Sequence, residues 1–282
     1  MPVTLTLDAV EPLLRRALDE DLDKAGDITS NAIIPDSAHA RAVMRARKPG
    51  VLAGVEGAAR VFTMLDAQAK ISIVAKDGNL LKAGQDILSV DGNARAVLAA
   101  ERTALNYIGH LSGIATETRK MVDLVRGTKA HVCCTRKTNL GLRLPEKHAV
   151  RMGGGDNHRT GLFDAILIKD NHIAVAGGIR PAVEKALAAR KPGVRLEVEV
   201  DSIDQLKKIL DLPVDAVLLD NMTPDKMRAC VDLVGGKFTL EASGGITAAN
   251  IRAVAESGVD IISLGWLTHS APALDIGLDI DI

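Results

Sequence analysis

The sequence predicts an α/β fold whose second part is a parallel sheet covered by helices. Three observations predict it. In the second part, short β-rich runs alternate with amphipathic helical stretches. Those runs are almost continuously apolar, which is typical of parallel strands buried on both faces. Of the 282 residues, 47% are hydrophobic but only 2% are aromatic, so the core must consist mainly of Val, Ile, Leu, Ala and Met.

The first part of the chain mixes helices with strands. Apolar residues at helical spacing predict helices over Glu11–Leu18 and Val55–Leu65. Strands are predicted over three ranges, with Asp77-Gly78 as the turn between the last two: Ala40–Arg47, Lys70–Ala75 and Asp86–Val90.

A long helix is predicted from Ala94 to about Val125. We expect breaks at Gly109 and Gly113, because glycine weakens a helix interior. No long linker or low-complexity segment follows, so the domain boundary predicted near residue 112 is a soft one.

The second part contains six clear strand–helix units. The predicted strands are Ala130–Thr135, Ala165–Lys169, Arg195–Val200, Ala216–Leu219, Phe238–Ala242 and Asp260–Leu264. The amphipathic stretches between the later strands are Ile203–Leu210, Pro224–Val234 and Ala248–Gly258. Six units are fewer than the eight of a complete barrel. Either the barrel is short or open, or the pattern hides further strands.

Composition excludes several classes of protein. The formal net charge is -1 and there are few aromatic rings, which argues against a general nucleic-acid binder. No apolar stretch approaches the roughly 18–20 residues that span a bilayer, and Met1–Val10 does not resemble a secretory signal. Cys133, Cys134 and Cys230 are odd in number and lack the CxxC spacing of zinc sites. We therefore expect a cytoplasmic protein without disulfides, in which Cys133 and Cys134 are core residues of an apolar strand.

Charged residues and glycines follow the predicted strands of the second part. In parallel α/β folds the loops at the carboxyl ends of the strands share one face, and sites form there. We expect one mouth that gathers Arg136, Lys137, Lys169, Glu197, Glu199, Asp220, Glu241, Ser243, Gly244, Gly245, Gly265 and Trp266.

Two carboxylates within one apolar run are difficult to explain as ordinary surface charges. Glu197 and Glu199 lie in Leu-Glu-Val-Glu-Val and share a strand face by their spacing of two. Carboxylates are rarely buried unpaired. Facing Lys169 and Arg136, they would form either a structural ion network or the acidic half of a site that also binds metal.

Two glycine turns follow the last two predicted strands. Ser243-Gly244-Gly245 leads into a helix predicted over Ala248–Glu256, and Leu264-Gly265-Trp266 follows the next strand. Exposed backbone N–H groups at such turns suit phosphate. Separately, a loop with Gly153-Gly154-Gly155 followed by His158 and Arg159 is either merely flexible or a mobile clamp for an anion.

Motifs along nearly the whole chain resemble one family. They are Glu20-Asp21-Leu22, Gly26-Asp27-Ile28-Thr29-Ser30, Gly50-Val51-Leu52-Ala53-Gly54, Glu101-Arg102-Thr103-Ala104-Leu105-Asn106, Leu111-Ser112-Gly113-Ile114-Ala115-Thr116, Thr135-Arg136-Lys137-Thr138, Gly153 to Arg159, Lys169-Asp170-Asn171-His172, Leu219-Asp220-Asn221-Met222, Glu241-Ala242-Ser243-Gly244-Gly245-Ile246 and Thr268-His269-Ser270. In this order they strongly resemble the quinolinate phosphoribosyltransferases.

The resemblance implies an architecture and a reaction. The architecture is an N-terminal α/β sandwich over residues 1–112, an open seven-stranded α/β barrel (TIM-like) over residues 113–269, and a tail, residues 270–282, that returns to the first domain. The reaction converts quinolinate and phosphoribosyl pyrophosphate (PRPP) to nicotinate mononucleotide, CO2 and pyrophosphate in de novo NAD biosynthesis, with Mg2+. The resemblance also implies a homodimer or higher homo-oligomer, in which Arg102 reaches the neighbouring subunit's site.

The resemblance further implies roles for individual residues. Quinolinate is a dicarboxylate, and its clamp would consist of Arg102, Arg136, His158, Arg159 and Lys169. Glu199 and Asp220 would hold the ribose and the metal, and Lys137 would meet phosphate oxygens. The remaining substrate contacts would come from Thr135, Ser243, Gly244, Gly245, Leu264, Gly265, Trp266 and His269. The catalytic residues would be Arg102, Lys137, Lys169, Glu199 and Asp220. Our own hypothesis is that these groups chiefly position the reactants and stabilise charge, with no covalent enzyme intermediate.

Some residues depart from the family's pattern and leave alternatives open. Asn139-Leu140 replaces the usual Thr-Pro, Leu144-Pro145-Glu146 is unusual, and His148 stands where Tyr is common. The alternatives are a related phosphoribosyltransferase of the molybdenum-locus subgroup with a different acceptor, a Schiff-base aldolase that uses Lys169, and a non-catalytic phosphometabolite-binding protein.

Overall fold

The computed structural model describes residues 5–281. The helices are α1 (Leu7–Leu22), α2 (Ile28–Ile33), α3 (Val55–Leu65), α4 (Ala94–Leu124), α5 (Arg143–Met152), α6 (Asp170–Ala176), α7 (Ile179–Ala189), α8 (Ile203–Lys207), α9 (Pro224–Val234), α10 (Ile251–Glu256) and α11 (Trp266–His269). The strands are β1 (His39–Ala46), β2 (Gly50–Val51), β3 (Lys70–Ile73), β4 (Leu80–Leu81), β5 (Asp86–Asn93), β6 (His131–Cys133), β7 (Ala165–Ile168), β8 (Arg195–Val200), β9 (Ala216–Asp220), β10 (Thr239–Ser243), β11 (Ile261–Ser263) and β12 (Ile276–Asp281).

The chain divides into two compact units. The first unit contains the chain up to Arg119, Thr138–Gly154 and the residues from Leu267 onward. The second unit contains Lys120–Lys137 and Gly155–Trp266. The domain boundary near residue 112 and the predicted domain ranges stay predictions.

An antiparallel sheet forms the frame of the first unit. Its strand order is β12-β1-β5-β3, so the strand nearest the chain end pairs with the first strand, with Met44 opposite Leu278. The apolar stripe of α1 (Val10, Leu14 and Leu18) belongs to the same buried core as Phe62 of α3. These side chains recur at helical spacing, which is why the pattern predicted α1 and α3.

The expected breaks in α4 are absent, since the helix runs without interruption through Gly109 and Gly113. A Cβ atom added at Gly113 would lie 2.1 Å from the carbonyl oxygen of Pro272, and one added at Gly109 would lie 3.1 Å from that of Leu274. The glycines therefore allow the C-terminal segment to pack on the helix. The predicted breaks were wrong because the sequence shows that a glycine lacks a side chain, but it does not show that the backbone near Pro272 and Leu274 packs into the space.

The turn at Asp77-Gly78 is present, but it does not join β3 directly to β5. The two-residue strand β4 lies between them and pairs with β2. Gly78 adopts a φ of 86°, and the Asp77 carboxylate accepts hydrogen bonds from the backbone N–H groups of Gly54 and Val55, at 2.9 and 3.0 Å. Asp77 thus accepts hydrogen bonds from N–H groups at the start of α3 that have no acceptor within the helix.

The second unit contains the predicted parallel sheet, and the α/β fold class is confirmed. Its six strands lie in the order β6-β11-β10-β9-β8-β7, so the first and last strands of the series are neighbours, as barrel closure requires. A seventh position is a single parallel bridge beside β6, where Asp156 pairs with Cys133. Among the named strands of the described chain, β7 forms the other edge of the sheet, so the barrel is open there.

Cys133 and Cys134 are buried, which confirms that they are core residues, and Cys230 is buried as well. Across residues 5–281, no helix combines the length and the apolar character needed to cross a membrane.

Candidate active site

Parallel register brings the carboxyl ends of the second unit's strands to one edge of the sheet. Ser263 pairs with Cys133, Ser243 pairs with Asp220, and Val200 pairs with Leu219. The predicted site residues of this unit occupy or directly follow these strand ends or lie in the loop behind Asp156. Those residues are Thr135, Arg136, Lys137, His158, Arg159, Lys169, Glu199, Asp220, Ser243, Gly244, Gly245, Leu264, Gly265 and Trp266.

Two arginines have buried N–H groups without a partner. The Nε atoms of Arg136 and Arg159 are both buried, and neither finds a hydrogen-bond partner within the described part of the chain. Burial, and then the charge of Arg136, lower the pKa of Arg159. One end of the Arg159 guanidinium is held by the carbonyl oxygen of Ala165, to which Nη1 donates at 3.0 Å. A buried N–H group without an acceptor is costly, and an anion would relieve that cost.

Lys169 is paired with an acidic residue from the next strand. Its ammonium group donates to the carboxylate of Glu199 at 2.7 Å, and the Glu199 side chain is only 13% exposed. A Schiff-base nucleophile needs a desolvated lysine in a pocket with few other charges, whereas the Lys169 side chain is 46% exposed and paired with a carboxylate. The pair therefore argues against the aldolase alternative.

Asp220 and Glu199 end neighbouring strands, β9 and β8. One Asp220 oxygen accepts a hydrogen bond from the Asn221 side chain at 2.8 Å. Carboxylates are the ligands that Mg2+ prefers, and one or two of them with substrate phosphates complete its usual coordination. The donor set of these two residues therefore fits the ion.

The first glycine turn follows β10. Gly244 and Gly245 adopt φ angles of 89° and 62°. A Cβ atom on Gly244 would lie 2.2 Å from the side-chain oxygen of Asn221, so only glycine fits there. The following helix begins at Ile251, three residues later than predicted, because Asn250 folds back to bond Thr247 N–H and the Gly245 carbonyl oxygen.

The second glycine turn lies against the residues that follow β6. A Cβ atom on Gly265 would lie 2.8 Å from Cδ of Lys137 and 3.4 Å from Oγ1 of Thr135. Leu264 donates its backbone N–H to the carbonyl oxygen of Cys133 at 2.9 Å, and the Trp266 indole donates to that of Ile246 at 3.1 Å. The turn therefore places Thr135, Lys137 and Gly265 side by side.

His158 belongs to a buried cluster with Glu197 and Glu241. Its Nε2 atom lies 2.9 Å from Glu197 and 3.6 Å from Glu241, and the two carboxylate side chains are 4% and 2% exposed. Burial, followed by the charge of Glu197, raises the pKa of Glu241 to about 7. The sequence pattern singled out each acidic residue but not the cluster that they form with His158. A signal was available, because Glu197 and Glu241 are carboxylates inside apolar strands of one sheet, where a buried carboxylate needs a partner.

Two predicted site residues lie in the first unit. Arg102 is an exposed residue of α4, in a pocket with Glu20 and Asp21. His269 ends α11, and its Nδ1 atom lies 2.6 Å from the hydroxyl of Ser270.

The residues that depart from the family's pattern make contacts within the first unit. The buried carboxylate of Glu146 bonds both the backbone and the side chain of Asn139, at 3.1 and 2.7 Å, and His110 at 2.9 Å. His148 bonds Asp77 at 2.7 Å. These contacts account for Asn139, Glu146 and His148, whereas the Leu140 side chain is fully exposed.

Comparisons with known proteins cover almost the entire chain. The family models described as quinolinate phosphoribosyl transferase, N-terminal domain and C-terminal domain, match residues 27–112 and 114–279. A nicotinate-nucleotide pyrophosphorylase [carboxylating] of Mycobacterium leprae is 44% identical over 97% of this chain and 98% of its own. A probable nicotinate-nucleotide pyrophosphorylase [carboxylating] of Bacillus subtilis is 41% identical over 97% of this chain and 94% of its own.

Solved structures agree with the sequence comparisons. The nicotinate-nucleotide pyrophosphorylase of Francisella tularensis matches with a TM-score of 0.94 and 40% identity, over 99% of this chain and 98% of that one. Both family models, the relatives and the structural match extend across both units. The chain therefore belongs to the quinolinate phosphoribosyltransferase family.

Proposed function

We propose that this protein transfers the phosphoribosyl group of PRPP to quinolinate and produces nicotinate mononucleotide, CO2 and pyrophosphate in de novo NAD biosynthesis. Membership of the family and the names of its relatives support this reaction. They do not support the alternatives of a different acceptor or of a non-catalytic binding protein.

The observation that carries the proposal is the pair of partly unsatisfied arginines, Arg136 and Arg159. Guanidinium groups bind carboxylates through two parallel hydrogen bonds, which also fix the orientation of the bound group. Quinolinate carries two adjacent carboxylates. Two arginines with unused N–H donors in the same unit suit it better than they suit an acceptor with one carboxylate.

The second substrate, PRPP, would lie along the neighbouring strand ends. Ser243, Gly244, Gly245, Leu264, Gly265 and Trp266 would surround its 5′-phosphate, and Thr135 and Lys137 would contact its pyrophosphate. Loss of pyrophosphate leaves positive charge on the ribose, which the carboxylates of Glu199 and Asp220 would stabilise. With both reactants oriented in this way, the transfer needs no covalent enzyme intermediate.

Glu199 and Asp220 would also hold Mg2+ together with oxygens of PRPP. When bound, the ion neutralises charge that develops on the departing pyrophosphate. The ammonium group of Lys169 would compete with Mg2+ for the Glu199 carboxylate. Its pairing with Glu199 would partly neutralise the negative charge near the substrate.

We further propose that the protein acts in the cytoplasm as a homodimer or a larger assembly of identical chains. Arg102 would then reach the substrate site of the neighbouring subunit. The exposure of Arg102 on α4 supports a role outside its own unit.

The experiment is a pyrophosphate-release assay on purified protein with Mg2+ and PRPP, and with quinolinate or nicotinate as the acceptor. We expect turnover with quinolinate alone. Turnover with nicotinate at a similar rate would contradict the two-carboxylate argument, and absence of turnover with quinolinate would contradict the proposed reaction.

Arg136→Ala tests the clamp within this assay. Truncating one partner of a buried charge pair costs about 2–5 kcal/mol, so we expect kcat/KM for quinolinate to fall by about 30-fold or more. Arg136→Lys should restore little, because lysine lacks the planar fork. The matched control is Arg180→Ala, which removes an exposed arginine that pairs with Asp211 on the surface. Near-normal activity of Arg136→Ala would remove this residue from the site.

A further inference from the structure

The buried cluster of His158, Glu197 and Glu241 adjoins Arg159, one residue of the proposed clamp. Glu197 belongs to β8 and Glu241 to β10, and both side chains approach the Nε2 atom of His158, at 2.9 and 3.6 Å. One further oxygen of each carboxylate is buried and lacks a hydrogen-bond partner among residues 5–281. Arg195 and Ser263 also face Glu241, and Arg159 is near enough to Glu197 to feel its charge.

The other nitrogen of the ring determines where the proton lies. The backbone N–H of Arg159 donates to Nδ1 of His158 at 2.8 Å. A ring nitrogen that accepts a hydrogen bond carries no proton, so the imidazole is neutral and its single proton lies on Nε2. Nε2 therefore donates to Glu197.

The same tautomer argues against a metal ion in this cluster. Each of the three residues offers one ligand atom, and these atoms lie within 4.8 Å of one another. A histidine bound to a metal through Nε2 carries its proton on Nδ1 and donates it onward. Here Nδ1 accepts, so a proton links Nε2 to the carboxylate.

Both nitrogens of His158 are thus used inside the protein, and the chain of bonds ends at Arg159. From Glu197 it passes through the imidazole to the Arg159 backbone, and the Arg159 guanidinium is itself anchored on Ala165. We propose that Glu197, supported by Glu241, is a positioning residue that orients His158 and through it holds Arg159 in place to bind quinolinate. This inference rests on the proposed function, and it assigns His158 to positioning, whereas the sequence had predicted a direct substrate contact.

Two substitutions at Glu197 separate positioning from general stability. Glu197→Leu removes the acceptor of the Nε2 proton. Glu197→Gln keeps an acceptor oxygen, and its amide nitrogen would face Glu241. Losing a hydrogen bond to a charged group costs 1.5–3 kcal/mol, so we expect Glu197→Leu to raise KM for quinolinate by about tenfold or more. KM for PRPP should change little, and Glu197→Gln should restore most of the quinolinate affinity.

The matched control is Val198→Ala in the same strand. Val198 is fully buried, and as the next residue along β8 it points to the opposite face of the sheet. Val198→Ala should lower stability, but it should not raise KM for quinolinate relative to KM for PRPP. The proposal fails if Glu197→Leu leaves KM for quinolinate unchanged, if it raises both KM values equally, or if Glu197→Gln does not restore binding.

A second measurement does not depend on turnover. Long-range 1H–15N NMR spectra of protein labelled at histidine report which ring nitrogen carries the proton, and His158→Asn identifies the signal. We expect a neutral His158 protonated on Nε2. A ring protonated on Nδ1, or on both nitrogens at pH 7.5, would overturn the proposal. If the wild-type protein proves inactive with quinolinate, the proposed function fails by itself, and this spectrum still tests the hydrogen-bond chain.

Discussion

Glu241 should couple the stability of the second unit to pH. Its side chain is 2% exposed, and burial together with the charge of Glu197 raises its pKa from 4.5 to about 7. Between these two values the unfolded chain releases a proton that the folded chain keeps. Stability therefore falls as pH rises from about 4.5 to about 7, and it stays at the lower value above this window.

The size of this effect follows from the pKa. A pKa difference of about 2.5 corresponds to about 3 kcal/mol, and most of it develops between pH 5 and pH 8. Glu241→Gln replaces the carboxyl by a neutral group of similar shape. We expect the loss of stability between pH 5 and pH 8 to be about 2–3 kcal/mol smaller in this variant than in the wild-type protein.

Urea unfolding at the two pH values measures this difference. Trp266 is the only tryptophan of the chain and lies in the second unit, so its fluorescence reports on the unit that contains Glu241. Glu256→Gln serves as the control, because Glu256 is an exposed residue paired with Arg252 on the surface of α10. The argument would be refuted if the free energy of unfolding changed by the same amount between pH 5 and pH 8 in the wild-type protein and in Glu241→Gln.

Two further predictions concern glycines. Gly113→Ala should destabilise the protein by about 1–3 kcal/mol in thermal or urea unfolding, because the clash with the Pro272 carbonyl outweighs the helix propensity gained, which is about 1 kcal/mol. Gly109→Ala, with a contact of 3.1 Å, should cost less, and equal effects would contradict the packing argument. Gly265→Ala should raise KM for PRPP more than KM for quinolinate, because its Cβ would displace Lys137. Because a lysine side chain can move, the unfolding free energy should change by less than about 1 kcal/mol, and a larger loss would show that the turn itself is strained.

Sequence patterns predicted the elements that bury a regular stripe or a continuous apolar run. Val55–Leu65 and Arg195–Val200 have the predicted bounds, since burial on one or both faces leaves a clear period. The two-residue strands β2 and β4 escaped prediction because two residues carry no period. Asp77 shows the same limit, since its role at the start of α3 depends on a contact 22 residues away in sequence.

The candidate site was predictable as a set of strand ends but not as a set of contacts. Register along β6, β9, β10 and β11 follows from a parallel sheet, so the grouping of residues at one edge could be inferred. Which carboxylate meets which cation could not. Glu197 and Glu199 are two positions apart in β8, and each lies between apolar residues. Even so, Glu197 contacts His158 and Glu199 contacts Lys169. The choice depends on the curvature of the barrel and on the loop that carries His158.

This division of the two glutamates gives the site its charge pattern. Glu199 pairs with the exposed Lys169 and, with Asp220, leaves negative charge where the ribose cation would form. The imidazole bound to Glu197 is neutral, so the buried carboxylate pair would carry two negative charges if Glu241 were also ionised. Such a pair would repel an incoming dicarboxylate. The raised pKa of Glu241 keeps much of that second charge absent near pH 7, which would favour binding of a dicarboxylate at the proposed arginine clamp.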